Sequence, residues 1–230
     1  MKITKITILP MLVMLLTLSA SAVDTFTETF NTNDSGWLDG AFGTPTYNAM
    51  GGVGNTGYIS YTNTFTSGTG MFGSDPTYLA FRGNNTSDAS SDAFVGDWIS
   101  DQIESFSIAV RHNHTTALNF YARIASFGGA GASLANNSIY SVDPNVWTTI
   151  TFDIEDNAPL PPFVSYGSSD FNGVFSNIQD IQLGYYVPAS TNFTGLTVDV
   201  DNVGVTAVPE PSTFGLLLLG AAGLLLRRRR

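Results

Sequence analysis

The strongest constraint on this chain is a two-residue alternation of apolar and polar side chains, repeated in seven runs. They span 57–62, 77–82, 105–111, 117–124, 147–154, 180–187 and 196–205. Period two sends successive side chains to opposite faces, so each run reads as a strand with one face for a core. Clusters of Gly, Asn, Asp and Pro separate the runs, and no long stretch of period 3.6 occurs between the two termini. Many short strands joined by polar turns predict an all-β antiparallel sandwich of jelly-roll type. One short helix is expected over 171–178, with Asp170 placed to cap it. The segment 156–162 and the glycine-rich 128–131 read as loops, and the chain shows neither an internal repeat nor a long linker.

Ser, Thr, Asn and Gly are abundant and lean towards disorder. Three tryptophans, with Phe, Tyr, Ile and Val throughout, supply the apolar surface a core needs. Cysteine is absent, so no disulfide staples the fold. A body of about 185 residues is long enough to bury a core without one.

The N-terminus carries Lys2 and Lys5, an apolar stretch over 6–18, then Ser19-Ala20-Ser21-Ala22. Charged start, apolar centre and small-residue end describe a secretory signal peptide over 1–22, cut after Ala22. At the other end stand Val208-Pro209-Glu210-Pro211-Ser212-Thr213, an apolar run over 214–226, and Arg227, Arg228, Arg229 and Arg230. Pro209 and Pro211 fix φ on both sides of Glu210 and hold the tripeptide extended. The apolar run falls short of the roughly 20 residues a stable span needs. The four arginines keep the C-terminus on the cytoplasmic side.

This tail resembles the PEP-CTERM sorting signal of Gram-negative bacteria. The resemblance implies recognition and removal by an exosortase-type membrane protease. It also implies transient anchoring in the inner membrane through the short helix, then residence at the cell surface or among matrix exopolysaccharides. The layout is therefore signal peptide 1–22, sandwich body 23–207 and sorting tail 208–230.

Within the body, Arg82, Arg111 and Arg123 are the only cations, against 18 of the 19 acids. The formal charge is 3 less 18, or −15. That excess argues against nucleic acid, whose phosphates must be met by Lys and Arg. It favours divalent cations or neutral glycans as partners, and it also promotes solubility.

The ends of the body carry a second resemblance. Phe26-Thr27-Glu28-Thr29-Phe30 with Ser35-Gly36-Trp37, and Val198-Asp199-Val200-Asp201-Asn202-Val203-Gly204-Val205, resemble the first and last strands of jelly-roll carbohydrate-binding modules. The strand at Val146-Trp147-Thr148-Thr149-Ile150-Thr151-Phe152-Asp153 is of a type common in such sandwiches. The resemblance implies that the end strands pair and that a structural calcium sits where they meet. Glu28, Asp201 and Asn202 are the positions it would use, an oxygen-only set suited to a hard cation. The alternative is a hydrogen-bonded acid pair at a sheet edge. Sugars stack on exposed aromatic faces, which makes Tyr47, Tyr58, Tyr61, Trp98, Tyr121, Tyr185 and Tyr186 candidates by type. Trp37 and Trp147, set in patterned strands, are expected in the core.

Catalytic patterns are sparse. His112 and His114 lie two apart and share a strand face, where they could chelate a metal or stand at a solvent-facing strand end. Asp153 and Glu155 also share a face, a spacing compatible with glycoside hydrolysis. No G-x-S-x-G turn and no phosphate-binding loop is present. The pattern favours a non-catalytic surface or matrix protein with glycan contacts. The alternative is a secreted glycan-active hydrolase of sandwich fold.

Overall fold

A computed structural model describes residues 25–65, 77–126, 131–134, 140–155, 163–166, 170–186 and 192–208. In chain order the strands are β1 (Phe26–Glu28), β2 (Leu38–Asp39), β3 (Thr46–Asn48), β4 (Tyr58–Phe65), β5 (Thr77–Asn84), β6 (Ile103–His112) and β7 (Leu118–Ser126). They continue as β8 (Gly131–Leu134), β9 (Tyr140–Val142), β10 (Thr148–Asp153), β11 (Phe163–Tyr166), β12 (Ile178–Tyr186) and β13 (Phe193–Ala207). All seven alternating runs form strands. The single helix α1 is shorter than expected, Phe171–Phe175, and Asp170 caps it by accepting from the Gly173 N–H at 2.8 Å.

The strands build two antiparallel sheets. Sheet I runs β10-β6-β13-β4-β3, with β1 also paired to β13. Sheet II runs β11-β8-β7-β12-β5-β2, with β9 also paired to β7. The first and last strands pair as expected, with Glu28 opposite Val203. The fifteen-residue β13 takes β6 along one side and β4, then β1, along the other.

Alternation assigns the two faces of each sheet. From sheet I, Ile59, Phe106, Ile108, Val110, Ile150, Phe152, Val198 and Val200 are buried. Sheet II answers with Phe81, Leu118, Phe120, Ile124, Ile181, Leu183 and Tyr185. Rings bridge the layers, Tyr61 of β4 meeting Phe81 of β5 edge to face at 6.4 Å. Burying each such side chain contributes about 1.5–3 kcal/mol. Between Asp201 and Gly204 the register of β13 against β6 shifts, and Asn202 takes φ +45°. This bulge changes the phase of the strand, so Val203 and Val205 return to the core although Val200 already faces it.

Candidate functional site

Strand pairing sets Glu28 opposite Val203, close enough to Asp201 for its charge to act on that carboxyl. Asp201 is fully buried; its Oδ2 accepts from the Val53 N–H at 2.7 Å and the Thr56 hydroxyl at 2.9 Å, its Oδ1 from the Asn202 N–H. Glu28 accepts from the Phe30 N–H through Oε1 and from the Ser90 hydroxyl through Oε2. Burial raises the Asp201 carboxyl above its ordinary value, and the nearby Glu28 charge adds to the rise. A Cβ on Gly52 would stand 2.5 Å from both Asp201 Oδ2 and the Gly57 carbonyl, and 2.9 Å from the Thr56 carbonyl. Three oxygens thus crowd a space that only glycine leaves open. The donor set of two carboxylates and backbone carbonyls fits a hard cation. Among the described residues no group of three or more His, Cys, Asp and Glu could hold a metal, so carbonyl oxygens would complete any shell.

The outer face of sheet II is the more unusual surface. Phe81, Phe120, Ile124, Leu183 and Tyr185 turn inward, so Arg82, Tyr121, Arg123, Gln182 and Tyr186 turn outward. Gln182 is the cross-strand partner of both Arg82 and Arg123, which gives one polar row over three strands. Arg123 Nη1 donates to Gln182 Oε1 at 3.1 Å, and Gln182 Nε2 donates to Asp180 Oδ2. The nearest approach of Arg82 to that carboxylate is 3.8 Å.

Side chains on a sheet's outer face are ordinarily wet. Here Arg82 is 7% exposed and Gln182 3%. Arg82 Nε and Asp180 Oδ1 are buried without a hydrogen-bond partner. Burial lowers the Arg82 guanidinium from its ordinary value, partly offset by Asp180. Burial likewise raises the Asp180 carboxyl. Leaving a buried donor and acceptor unpaired costs about 1–3 kcal/mol each. Beside them the Tyr121 and Tyr186 rings stand 5.2 Å apart. A Cβ on Gly184 would lie 2.3 Å from Tyr121 Cζ, so glycine alone lets that ring lie against β12. At the rim, the Arg82 guanidinium sits 3.8 Å from the centroid of the Phe42 ring. Paired donors and acceptors beside aromatic walls are suited to hydroxyl-rich ligands.

The outer face of sheet I carries a polar cluster of the opposite kind, in which every named group is paired. Arg111 Nε and Nη2 reach Asp199 Oδ2 at 2.8 and 2.7 Å, and Asp199 Oδ1 accepts from the Ser60 hydroxyl at 2.6 Å. Arg111 Nη1 and Trp147 Nε1 both donate to the Gly51 carbonyl, which ties the preceding loop to the sheet. Trp147 is therefore not a core residue as expected. Ile150 and Phe152 turn inward, so alternation sends Trp147 to the outer face, beside Tyr58 at 5.6 Å.

Other sequence candidates separate. Trp37 lies in the core as expected. Trp98 and Tyr185, proposed as sugar-facing, are core residues at 1% and 0% exposure. His112 and His114 are not at a solvent-facing strand end but buried, His112 Nε2 meeting the Val142 carbonyl at 2.8 Å and its Nδ1 accepting from the His114 N–H. Asp153 and Glu155 are exposed at the end of β10, on sheet I and not on sheet II. The signal segment 1–22, the sorting tripeptide Pro209, Glu210 and Pro211, and Arg227 to Arg230 lie outside the described residues, as do the loops 128–130 and 156–162. Sequence reasoning missed Arg82, Asp180, Gln182 and Phe42. An arginine among the apolar residues of 77–82, in a body with three cations, was the available signal.

A family model describing the PEP-CTERM protein-sorting motif matches residues 207–230. The chain carries that sorting motif. No curated protein sequence matches it. Among solved structures, the body is similar to the family 11 carbohydrate-binding module of cellulosomal cellulase Lic26A-Cel5E of Clostridium thermocellum. The identity is 18% and the TM-score 0.46, covering 84% of this chain and 99% of that one. It is also similar to a xylan-binding domain of family 22, at 10% identity and TM-score 0.44, covering 79% and 94%. A third likeness is to the CBM22-1–GH10 modules of C. thermocellum xylanase 10B, at 15% identity and TM-score 0.49. That match covers 80% of this chain and 28% of the xylanase chain. The likeness is one of overall β-sandwich fold.

Proposed function

We propose that this is an exported, non-catalytic protein that binds a neutral polysaccharide on the outer face of sheet II. An exosortase-type protease sorts it through the tail. The observation that carries the binding reading is the buried pair of unpartnered groups, Arg82 Nε and Asp180 Oδ1, on an outward face. A sugar hydroxyl accepts from the first and donates to the second, which removes both penalties at once. The half-buried Tyr186, backed by the buried Tyr121, would supply apolar contact to ring C–H groups, and Arg123, held by Gln182, a further hydrogen bond. Calcium held by Glu28, Asp201 and neighbouring carbonyls, beside Asn202, would neutralise the acid pair and join the two chain ends, away from sugar chemistry.

The test is migration of the exported protein in native gels that contain xylan, mixed-linked β-glucan, agarose or the producing strain's exopolysaccharide, with calcium or with EDTA. Retardation by at least one neutral polymer is expected. Free migration in every gel overturns the binding reading. Intact-mass measurement of the surface protein tests sorting: a mass lacking the C-terminal tail is expected, and a mass retaining it contradicts removal.

A further inference from the structure

The turn that follows β2 presents Phe42 in an unfavourable way. Asp39 Oδ1 accepts from the Ala41 and Gly43 N–H groups, each at 2.8 Å. Its own N–H donates to the Gly43 carbonyl at 2.8 Å, and the Phe42 N–H donates to the Asp39 carbonyl at 3.1 Å. This closed turn holds Phe42 at φ +65°, a region that bulky residues rarely occupy and glycine enters freely. The ring is nevertheless 63% exposed. Backbone strain is being spent on a large apolar side chain that gains little burial. The Arg82 guanidinium lies 3.8 Å from the ring centroid.

Strained backbone persists where the surroundings over-determine it, and such sites cluster at ligand contacts. A second, independent feature stands directly behind the ring: Arg82, 7% exposed, with its Nε unpartnered. We propose that Phe42 is a stacking platform at the edge of the outer face of sheet II. It takes the C–H-rich face of a neutral pyranose unit while Arg82 and Asp180 read the hydroxyls of the same chain. The inference rests on the polysaccharide reading and names the residue that would orient the polymer on it. The ligand class is neutral because Asp180 and Asp39 offset the two cations of this face, Arg82 and Arg123, and leave no net charge there to draw a uronate.

The experiment compares the full exported chain with Phe42→Gly and Phe42→Trp, by affinity electrophoresis and thermal melting. The probes are xylan, mixed-linked β-glucan and agarose, with polygalacturonate as the acidic counterpart. Phe42→Gly relieves the left-handed backbone, so its melting temperature should equal or exceed that of the parent while retardation by the neutral polymer falls at least tenfold. Phe42→Trp should retain binding. Parental binding in Phe42→Gly overturns the platform and leaves the polysaccharide reading standing. Loss of binding together with a lower melting temperature assigns Phe42 to the fold and also overturns it. Stronger retardation by polygalacturonate overturns the neutral class. A parent that binds none of the polymers refutes the underlying reading itself.

Discussion

Arg82 Nη1 stands 3.8 Å from Asp180 Oδ2, and the groups on their other sides, Arg82 Nε and Asp180 Oδ1, are buried without partners. An ion pair kept for stability would close to hydrogen-bond distance and satisfy its remaining donors and acceptors. This pair is held open on the outer face of a sheet. Replacing both members should therefore separate binding from folding. Arg82→Met combined with Asp180→Leu is expected to melt at or above the parental temperature, since it removes both charges together and leaves no lone buried carboxylate. Its polysaccharide affinity should fall at least tenfold, about 1.4 kcal/mol. Thermal melts alongside affinity gels check both halves.

Gly184 gives an independent route to the same face. A Cβ there meets the Tyr121 ring at 2.3–2.6 Å and must push it off the sheet. Gly184→Ala should weaken glycan retention severalfold and destabilise by about 1–3 kcal/mol, as overpacking does. Parental retention in this variant would show that Tyr121 is not a wall of the site.

Calcium should stabilise the protein without changing its sugar preference. Asp201 and Glu28 bring two acids together, and burial already raises the Asp201 carboxyl. At a calcium concentration a hundredfold above Kd, linkage gives about 2.7 kcal/mol. For a body of this size that corresponds to a melting shift of about 5–10 °C. EDTA should abolish the shift, and so should Asp201→Ala, which also removes the anchor of Val53 and Thr56. A shift that persists in Asp201→Ala would place the ion elsewhere.

His112 sets an acid limit on stability. Burial lowers its folded-state value, and both ring nitrogens are engaged in the neutral form, Nε2 with the Val142 carbonyl and Nδ1 with the His114 N–H. A second proton on Nδ1 would confront that N–H donor. The unfolded chain takes up this proton first, near pH 6.5, so the contribution of neutral His112 is complete above that value. It is lost progressively as pH falls from there towards the depressed folded value. Denaturant midpoints measured between pH 7.5 and 5 should decline over that window, and His112→Gln should flatten the decline.

The strands were legible because burial on one face leaves a period of two, blurred only where both faces are buried. Helix α1 was legible through Asp170. The pairing of Glu28 with Val203 followed from resemblance at the chain ends, not from periodicity. The outer face of sheet II was harder to read for a physical reason. In β5 and β12 both faces are buried, so Leu79, Arg82 and Gln182 resemble core positions, and the register slip at Leu183 and Gly184 blurs the phase further. The core expectation for Trp147 follows from its place in a patterned strand, although the alternation of Ile150 and Phe152 points it outward. Phe42 lies in a turn, where no period exists to mark it.

The central claim is that a neutral polysaccharide binds the outer face of sheet II. The most direct measurement is an amide NMR titration of the protein with the neutral polymer that retards it most. Shifts centred on Phe42, Arg82, Tyr121, Gln182 and Tyr186, with Tyr58, Arg111 and Trp147 undisturbed, are the predicted result. Shifts centred on the Arg111 cluster of sheet I, or none at saturating polymer, would contradict it.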